Sequence, residues 1–333
     1  MLKLALLVLG ALTLSLLIWN IGIARIYQAV AQLGPVALLT VLLPSLVMYV
    51  LEAYGWRVTL GTWADKLTFW RLWAIRTAGE VVNMTTPTAY VGGEPLKAIM
   101  LKRHGIPMVE GMASVVTAKT TMTIAQILFI LSGMAVGFWL LGAQGSAGQT
   151  IMAGVVSVGL LLFGVGAFIM IQRYGMFSGI LGLLRQLGFR IAFLESREEK
   201  LRELDSTIEA FYSQNRWGFV VSTLSFLLGW LAEAVEVFVM ILCLGQQATW
   251  SSAIAIGALS VFIKGGSFFI PGSLGAQDAG NLFLVTAFGY SEVTGITFAL
   301  LRRFRELVWI GLGLVCLFLV GGKRAIGEDV PQT

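Results

Sequence analysis

The sequence predicts an all-α, multi-spanning membrane protein, and three observations predict it. Of 333 residues, 57% are hydrophobic and only 12% are charged, where an ordinary soluble domain carries about a quarter charged residues. No Asp, Glu, Lys or Arg occurs from Thr120 to Gln172, which is long enough for two crossings at roughly 20 residues each. Apolar runs of spanning length recur along the whole chain, so nearly all of it reads as membrane domain and not as a soluble enzyme with an anchor.

Taken in order, spans are expected at Leu4 to Ala24, Val36 to Trp56, Gly111 to Leu141, Ile151 to Gln172, Trp217 to Leu244, Ser251 to Ile270 and Val293 to Val320. Lys3 before the first run imitates a signal peptide, but no small-x-small cleavage site follows it, so a first membrane helix is expected. The polar, Gly-bearing Gly142 to Gln149 is the turn inside the charge-free stretch. Leu67 to Met84 and Ala279 to Tyr290 are shorter and adjoin Pro/Gly-interrupted loops, which points to partial or re-entrant helices. The expected architecture is about seven to eight transmembrane helices plus two broken re-entrant segments. It forms a single membrane domain over 1–333: a first half (1–172) with a broken segment at 83–97, a connector (173–216), and a second half (217–333) with a broken segment at 264–280.

Basic residues set the orientation, because short cytoplasmic loops retain Lys and Arg. Arg57, Lys66, Arg71 and Arg76 follow the second span, Lys97, Lys102 and Arg103 precede the third, seven basic residues fill 173–216, and Lys323 and Arg324 follow the last. The opposite loops, Gly142 to Gln149 and Gly245 to Trp250, carry none. Both termini are therefore expected in the cytoplasm, with Arg190 inside and Gln144 and Gln247 outside. Within the connector, Leu201, Leu204, Ile208 and Phe211 recur at helical spacing among charges, as in an amphipathic helix lying on the membrane or packed on the bundle.

Four constellations carry chemistry. The first is Asn83 to Lys97, where Pro87, Gly92-Gly93 and Pro95 cannot share one continuous helix; either a broken helix lines a cavity, with Glu94 and Lys97 on its next turn, or a cytoplasmic loop ends in a capping carboxylate. The second is Lys264 to Asp278, broken at Pro271, Gly272 and Gly275. Pro87 stands seven residues before Glu94 and Pro271 seven before Asp278, either a coincidence of spacing or the pattern of interrupted segments at corresponding places in an inverted repeat. The third is Arg302, Arg303, Arg305 and Glu306 inside the last apolar run: charges that face the bundle interior, or a short cytoplasmic turn between two helices. The fourth is Glu233 and Glu236, at i, i+3 in one span, which either pair with Lys264 or an arginine or form a coupling site for a proton or cation. Lys119 poses the same alternatives.

Enzyme chemistry finds no foothold. There is no Walker loop, dinucleotide fingerprint, HExxH or GxSxG, and Cys243, Cys316 and the single His104 make no metal set. No cofactor, metal or nucleic acid is expected.

Asn83 and Pro87 with Gly92-Gly-Glu-Pro-Leu-Lys-Ala98, then Ile270-Pro-Gly-Ser-Leu-Gly-Ala-Gln-Asp278 and the arginine cluster, resemble the transmembrane region of lysylphosphatidylglycerol synthases and its stand-alone flippase-like relatives. The PGSLGAQ wording most resembles the branch associated with hopanoid biosynthesis. Ser273 stands where the family commonly has a second glycine, and Asp278 where glutamate is usual. The resemblance implies two re-entrant segments, a role in binding or moving a lipid (anionic or isoprenoid-derived), and a bacterial-type inner membrane. It carries no aminoacyl transfer here, since the chain ends at Thr333 without room for that domain. The expected roles are lipid phosphate binding by Lys97, Arg302, Arg303 and Arg305, loop holding by Glu94 and Asp278, and coupling by Glu233, Glu236, Lys119 and Lys264. The competing expectation is an accessory protein that presents a lipid to a separate membrane-bound enzyme.

Overall fold

Helices follow the apolar runs, and Pro and Gly set where they stop. The computed structural model of the chain describes residues 23–86, 92–142, 175–186, 195–267 and 275–320, with isolated positions 19, 159, 163–164, 166–167, 170–172 and 273. Most of the expected spans Leu4 to Ala24 and Ile151 to Gln172, the loop residues Pro87, Pro271 and Gly272, the positions Gln144 and Arg190, and both termini lie outside the described residues.

Helix α1 (Ile23–Thr59) kinks at Gly34, whose φ of 73° is left-handed and is followed by Pro35. A short 3-10 turn (Gly61–Lys66) leads into α2 (Phe69–Thr85). Thr86 then turns extended (φ −111°, ψ 144°), because a residue before proline is pushed out of the helical region. The chain resumes as α3 (Gly93–Lys102) and α4 (Met108–Gly142). The connector supplies α5 (Met176–Gln186) and α6 (Glu198–Gln214). The second half comprises α7 (Arg216–Cys243), α8 (Trp250–Gly266), α9 (Ala276–Ala287) and α10 (Glu292–Val320). Every described element is helical, as the sequence predicts.

Three of these helices are long and apolar enough to cross a membrane unaided: Leu33–Thr59 of α1, Met108–Leu140 of α4, and α7. At 1.5 Å per residue, α3 spans only about 15 Å and α9 about 18 Å, roughly half of a 30 Å hydrocarbon core. Neither can cross, and each forms a broken pair with the helix before it. By contrast α10 is one continuous helix, and Arg302, Arg303, Arg305 and Glu306 are buried within it. The alternative of a cytoplasmic turn at these charges is therefore excluded.

Large apolar side chains face outward, and charged ones lie inside among an apolar core. Val36, Leu39, Trp139, Leu228, Phe283 and Phe318 are exposed, whereas Glu52, Arg76, Lys97, Glu233 and Glu236 are buried. The amphipathic connector helix packs on the bundle: Leu204 and Ile208 of α6 bury against Ala113 at the start of α4. Asp205 of α6 caps α5 by accepting hydrogen bonds from the Phe177 and Ser178 backbone N–H groups at 3.0 and 2.8 Å.

Candidate functional site

Close backbone approach brings the two halves together. Ser222 donates to the Gly55 carbonyl at 3.0 Å, and a Cβ on Gly229 would sit 3.2 Å from Glu52 Cγ. As numbers rise along α7 they fall along α1, so these neighbours run antiparallel. They are also equivalent helices. Adding 184 to Glu52, Glu80, Glu94 and Lys119 gives Glu236, Lys264, Asp278 and Arg303, and adding it to Pro87 gives Pro271. The same offset carries the end of α1 at Thr59 to the end of α7 at Cys243, and the start of α4 at Met108 to the start of α10 at Glu292. Equivalent helices that pack antiparallel require a pseudo-two-fold axis across them, which inverts one half relative to the other. Four charged positions survive this mapping, one of them with its sign reversed.

Each half holds a balanced ion-pair network. In the first, Arg76 of α2 pairs with Glu52 of α1 and lies over the Tyr49 ring at 5.2 Å. Lys97 of α3 bridges Glu80 at 2.7 Å and Glu94 at 3.1 Å, and Lys119 of α4 reaches Glu94 at 3.5 Å. Asn83 clamps the break: its amide donates to Glu94 at 3.1 Å and its carbonyl oxygen accepts from the Gly93 N–H at 2.7 Å. Gly93 is needed here because a Cβ would fall 2.0 Å from the Gly79 carbonyl oxygen. In the second half, Glu233 pairs with Arg302 and with Arg305 at 2.9 Å, and Arg305 also meets Glu236 at 2.6 Å. Arg303 grips Asp278 through Nε at 2.7 Å and Nη2 at 2.9 Å, and meets Glu306 at 2.6 Å. Glu306 also pairs with Lys264 at 3.2 Å. Asp278 caps α9 by accepting from the Gly275 N–H at 3.0 Å. The Ser273 carbonyl accepts from Arg303 at 3.2 Å, and Ser273 holds φ 48°, a left-handed conformation that favours glycine.

The networks explain how so many charges survive at membrane depth, where an unpaired one costs about 2.5 to 3.5 kcal/mol. They also show the protein partners of the residues singled out from sequence. Lys97, Arg303 and Arg305, read as phosphate ligands, are each held by two carboxylates. Of the two alternatives for Glu233 and Glu236, the structure shows the pairing with arginine: they are the counter-ions of Arg302 and Arg305. Sequence reading passed over Glu52 and Glu80 and took Arg76 for a loop charge that sets orientation, whereas it is buried within α2; a charge in a run of helical spacing was the available signal.

Between the networks lies a cavity of about 250 Å³. Glu52, Arg76, Glu80 and Lys119 line it from the first half, and Trp230, Glu233, Lys264, Arg302, Arg305 and Glu306 from the second. Glu94 and Lys97 stand behind it, around a smaller void of about 20 Å³.

An apolar helical exterior, half-length broken helices and a charged cavity between inverted halves define a polytopic α-helical membrane protein. The chain belongs to the family of the lysylphosphatidylglycerol synthase transmembrane region, whose family model matches residues 1–314. It is similar to a UPF0104 membrane protein of Methanothermobacter thermautotrophicus, 23% identical over 308 residues that cover 87% of this chain and 86% of that one. No solved structure matches it.

Proposed function

We propose that this protein moves a membrane lipid between leaflets by alternating access, with the lipid headgroup in the cavity between its halves. The observation that carries the reading is the pair of inverted halves with broken helices around one charged cavity, the architecture in which transport sites sit between repeats. Glu94–Lys119 and Asp278–Arg303 are equivalent latches, one loose at 3.5 Å and one tight at 2.7 Å, and the cycle exchanges which is closed. At about 30 Å³ per water, the cavity has room for a headgroup but not for acyl chains, which stay in the bilayer. The cargo is an anionic or isoprenoid-derived lipid, the latter suggested by the likeness to the hopanoid-associated branch. The protein works without covalent catalysis, in a bacterial-type inner membrane with both termini in the cytoplasm.

Purified protein in liposomes carrying a fluorescent lipid tests this. Wild-type protein should expose inner-leaflet label to an impermeant quencher, and Asp278→Asn, which loosens one latch, should change the rate. Lipid binding by wild-type protein with no movement of label would refute transport and favour a protein that presents lipid to a separate membrane enzyme.

A further inference from the structure

The cavity wall contains both signs of charge but does not offer them equally. Lys119 and Lys264 are its most accessible charged side chains, at 34% and 27%. The lining carboxylates Glu52, Glu80, Glu233 and Glu306 stand at 4%, 14%, 4% and 10%. An ammonium carries three donors, yet each lysine meets a single carboxylate, Lys119 at 3.5 Å and Lys264 at 3.2 Å. Each of those carboxylates has a closer partner, Glu94 in Lys97 at 3.1 Å and Glu306 in Arg303 at 2.6 Å, so the two lysines are the outer members of their networks.

Donors are in surplus behind this surface as well. Arg76 Nη1, Arg302 Nε and Nη2, and Trp230 Nε1 all belong to cavity-lining residues and are buried without an acceptor among the described residues. The buried oxygens without a donor, Glu236 Oε1 and Gln277 Oε1, belong to residues that do not line the cavity. With its most accessible charges both positive and the acceptor-less donors of its lining residues buried behind them, the cavity suits a ligand that only accepts.

We propose that Lys119 and Lys264, one from each half, form a two-lysine site for a phosphate-class anion. The proposal rests on the cavity assigned above and names the chemistry that it holds. A phosphodiester has two unbridged oxygens sharing one negative charge, so it can accept from two ammonium groups that line one cavity. Lysine holds it as a point charge, which permits release when one half moves. The anion belongs either to a lipid headgroup or to a soluble phosphate ester.

Binding to the purified full chain distinguishes these sources. The lipid probe is brominated phosphatidylglycerol in phosphatidylcholine nanodiscs, read by tryptophan quenching; the soluble probes are glycerol phosphate and inorganic phosphate. Lys119→Gln and Lys264→Gln should each weaken phosphatidylglycerol binding about tenfold or more, the loss of one charge-assisted contact. Lys119→Arg should retain it, and Lys66→Gln, on the exposed 3-10 turn, should leave it unchanged. Displacement by glycerol phosphate would assign recognition to the headgroup alone, and lipid binding without displacement would assign the site to lipid; both support the anion site. Melting temperature and monodispersity keep misfolding apart from lost binding. Undiminished binding by a well-folded Lys119→Gln/Lys264→Gln double variant would overturn the proposal, as would wild-type preference for neutral or cationic lipid. Movement of neutral lipid without anion preference would sink this proposal and leave transport standing. Lysine-dependent anion binding without movement would do the reverse.

Discussion

Glu233 is the residue whose loss should be felt most in stability. It meets both Arg302 and Arg305, but Arg305 has a second carboxylate, Glu236 at 2.6 Å, whereas Arg302 has no other ion pair among the described residues. Glu233→Gln keeps the shape and removes the charge, leaving the Arg302 guanidinium buried at 3% exposure without a counter-ion. Breaking a buried pair in this way costs about 3 to 5 kcal/mol, and the cost of a lone arginine at membrane depth, about 2.5 to 3.5 kcal/mol, falls on the same scale. Arg302→Met alone should cost less, about 1 to 3 kcal/mol, since Glu233 keeps Arg305. Adding Arg302→Met to Glu233→Gln removes the stranded charge, so the double variant should lie within about 2 kcal/mol of wild type. Equilibrium unfolding in mixed detergent and dodecyl sulfate micelles, read by tryptophan fluorescence, gives all three values. A Glu233→Gln cost under about 1 kcal/mol, or a double variant no more stable than Glu233→Gln, would refute the assigned pairing.

Three further outcomes are expected. Gly133→Ala would place a Cβ 2.1 Å from the Ala258 Cβ and 3.0 Å from the Ile254 carbonyl oxygen, so it should destabilise by about 1 to 3 kcal/mol and recover in part when Ala258→Gly is added; Gly93→Ala meets only the Gly79 backbone and Asn83 and should have no such rescue in thermal melts. Hydrogen bonds from Arg185 and then Arg202 lower the Glu198 carboxyl pKa below its ordinary value of 4.5. A carboxyl depressed in the fold contributes stability above its unfolded value and loses it as pH falls through the folded value, so hydrogen-exchange protection of α5 and α6 should hold at neutral pH and fade below about 4.5. For orientation, a cysteine at Gln247 should react with an impermeant reagent in intact cells and one at Glu209 should not, because basic residues cluster on one side; the opposite labelling would invert the assignment.

Much of this molecule is legible in one dimension. Hydropathy marks the long spans, since a helix needs about 20 mostly apolar residues to cross a bilayer. Pro87 and Pro271, with their glycines, mark the breaks, because proline removes a donor and restricts the residue before it. The equal spacing from Pro87 to Glu94 and from Pro271 to Asp278 points to repetition. The amphipathic face of α6 is likewise readable from Leu204 and Ile208, which bury as the periodicity requires.

What the sequence could not decide is which charge meets which. Arg302 meets Glu233 across 69 residues and Arg303 meets Asp278 across 25, and these meetings depend on the packing of helices whose own patterns are silent about their neighbours. The continuity of α10 through Arg302 to Glu306 was undecidable for the same reason: an apolar run interrupted by charges reads equally as a turn in water or as a helix with buried partners. The tertiary structure supplies the partners and so selects the helix. It also separates two kinds of cation that composition cannot tell apart. Arg303 and Arg305 are consumed in holding carboxylates, while Lys119 and Lys264 face the cavity with donors to spare, because a residue's chemistry is set by how much of it its neighbours leave unused.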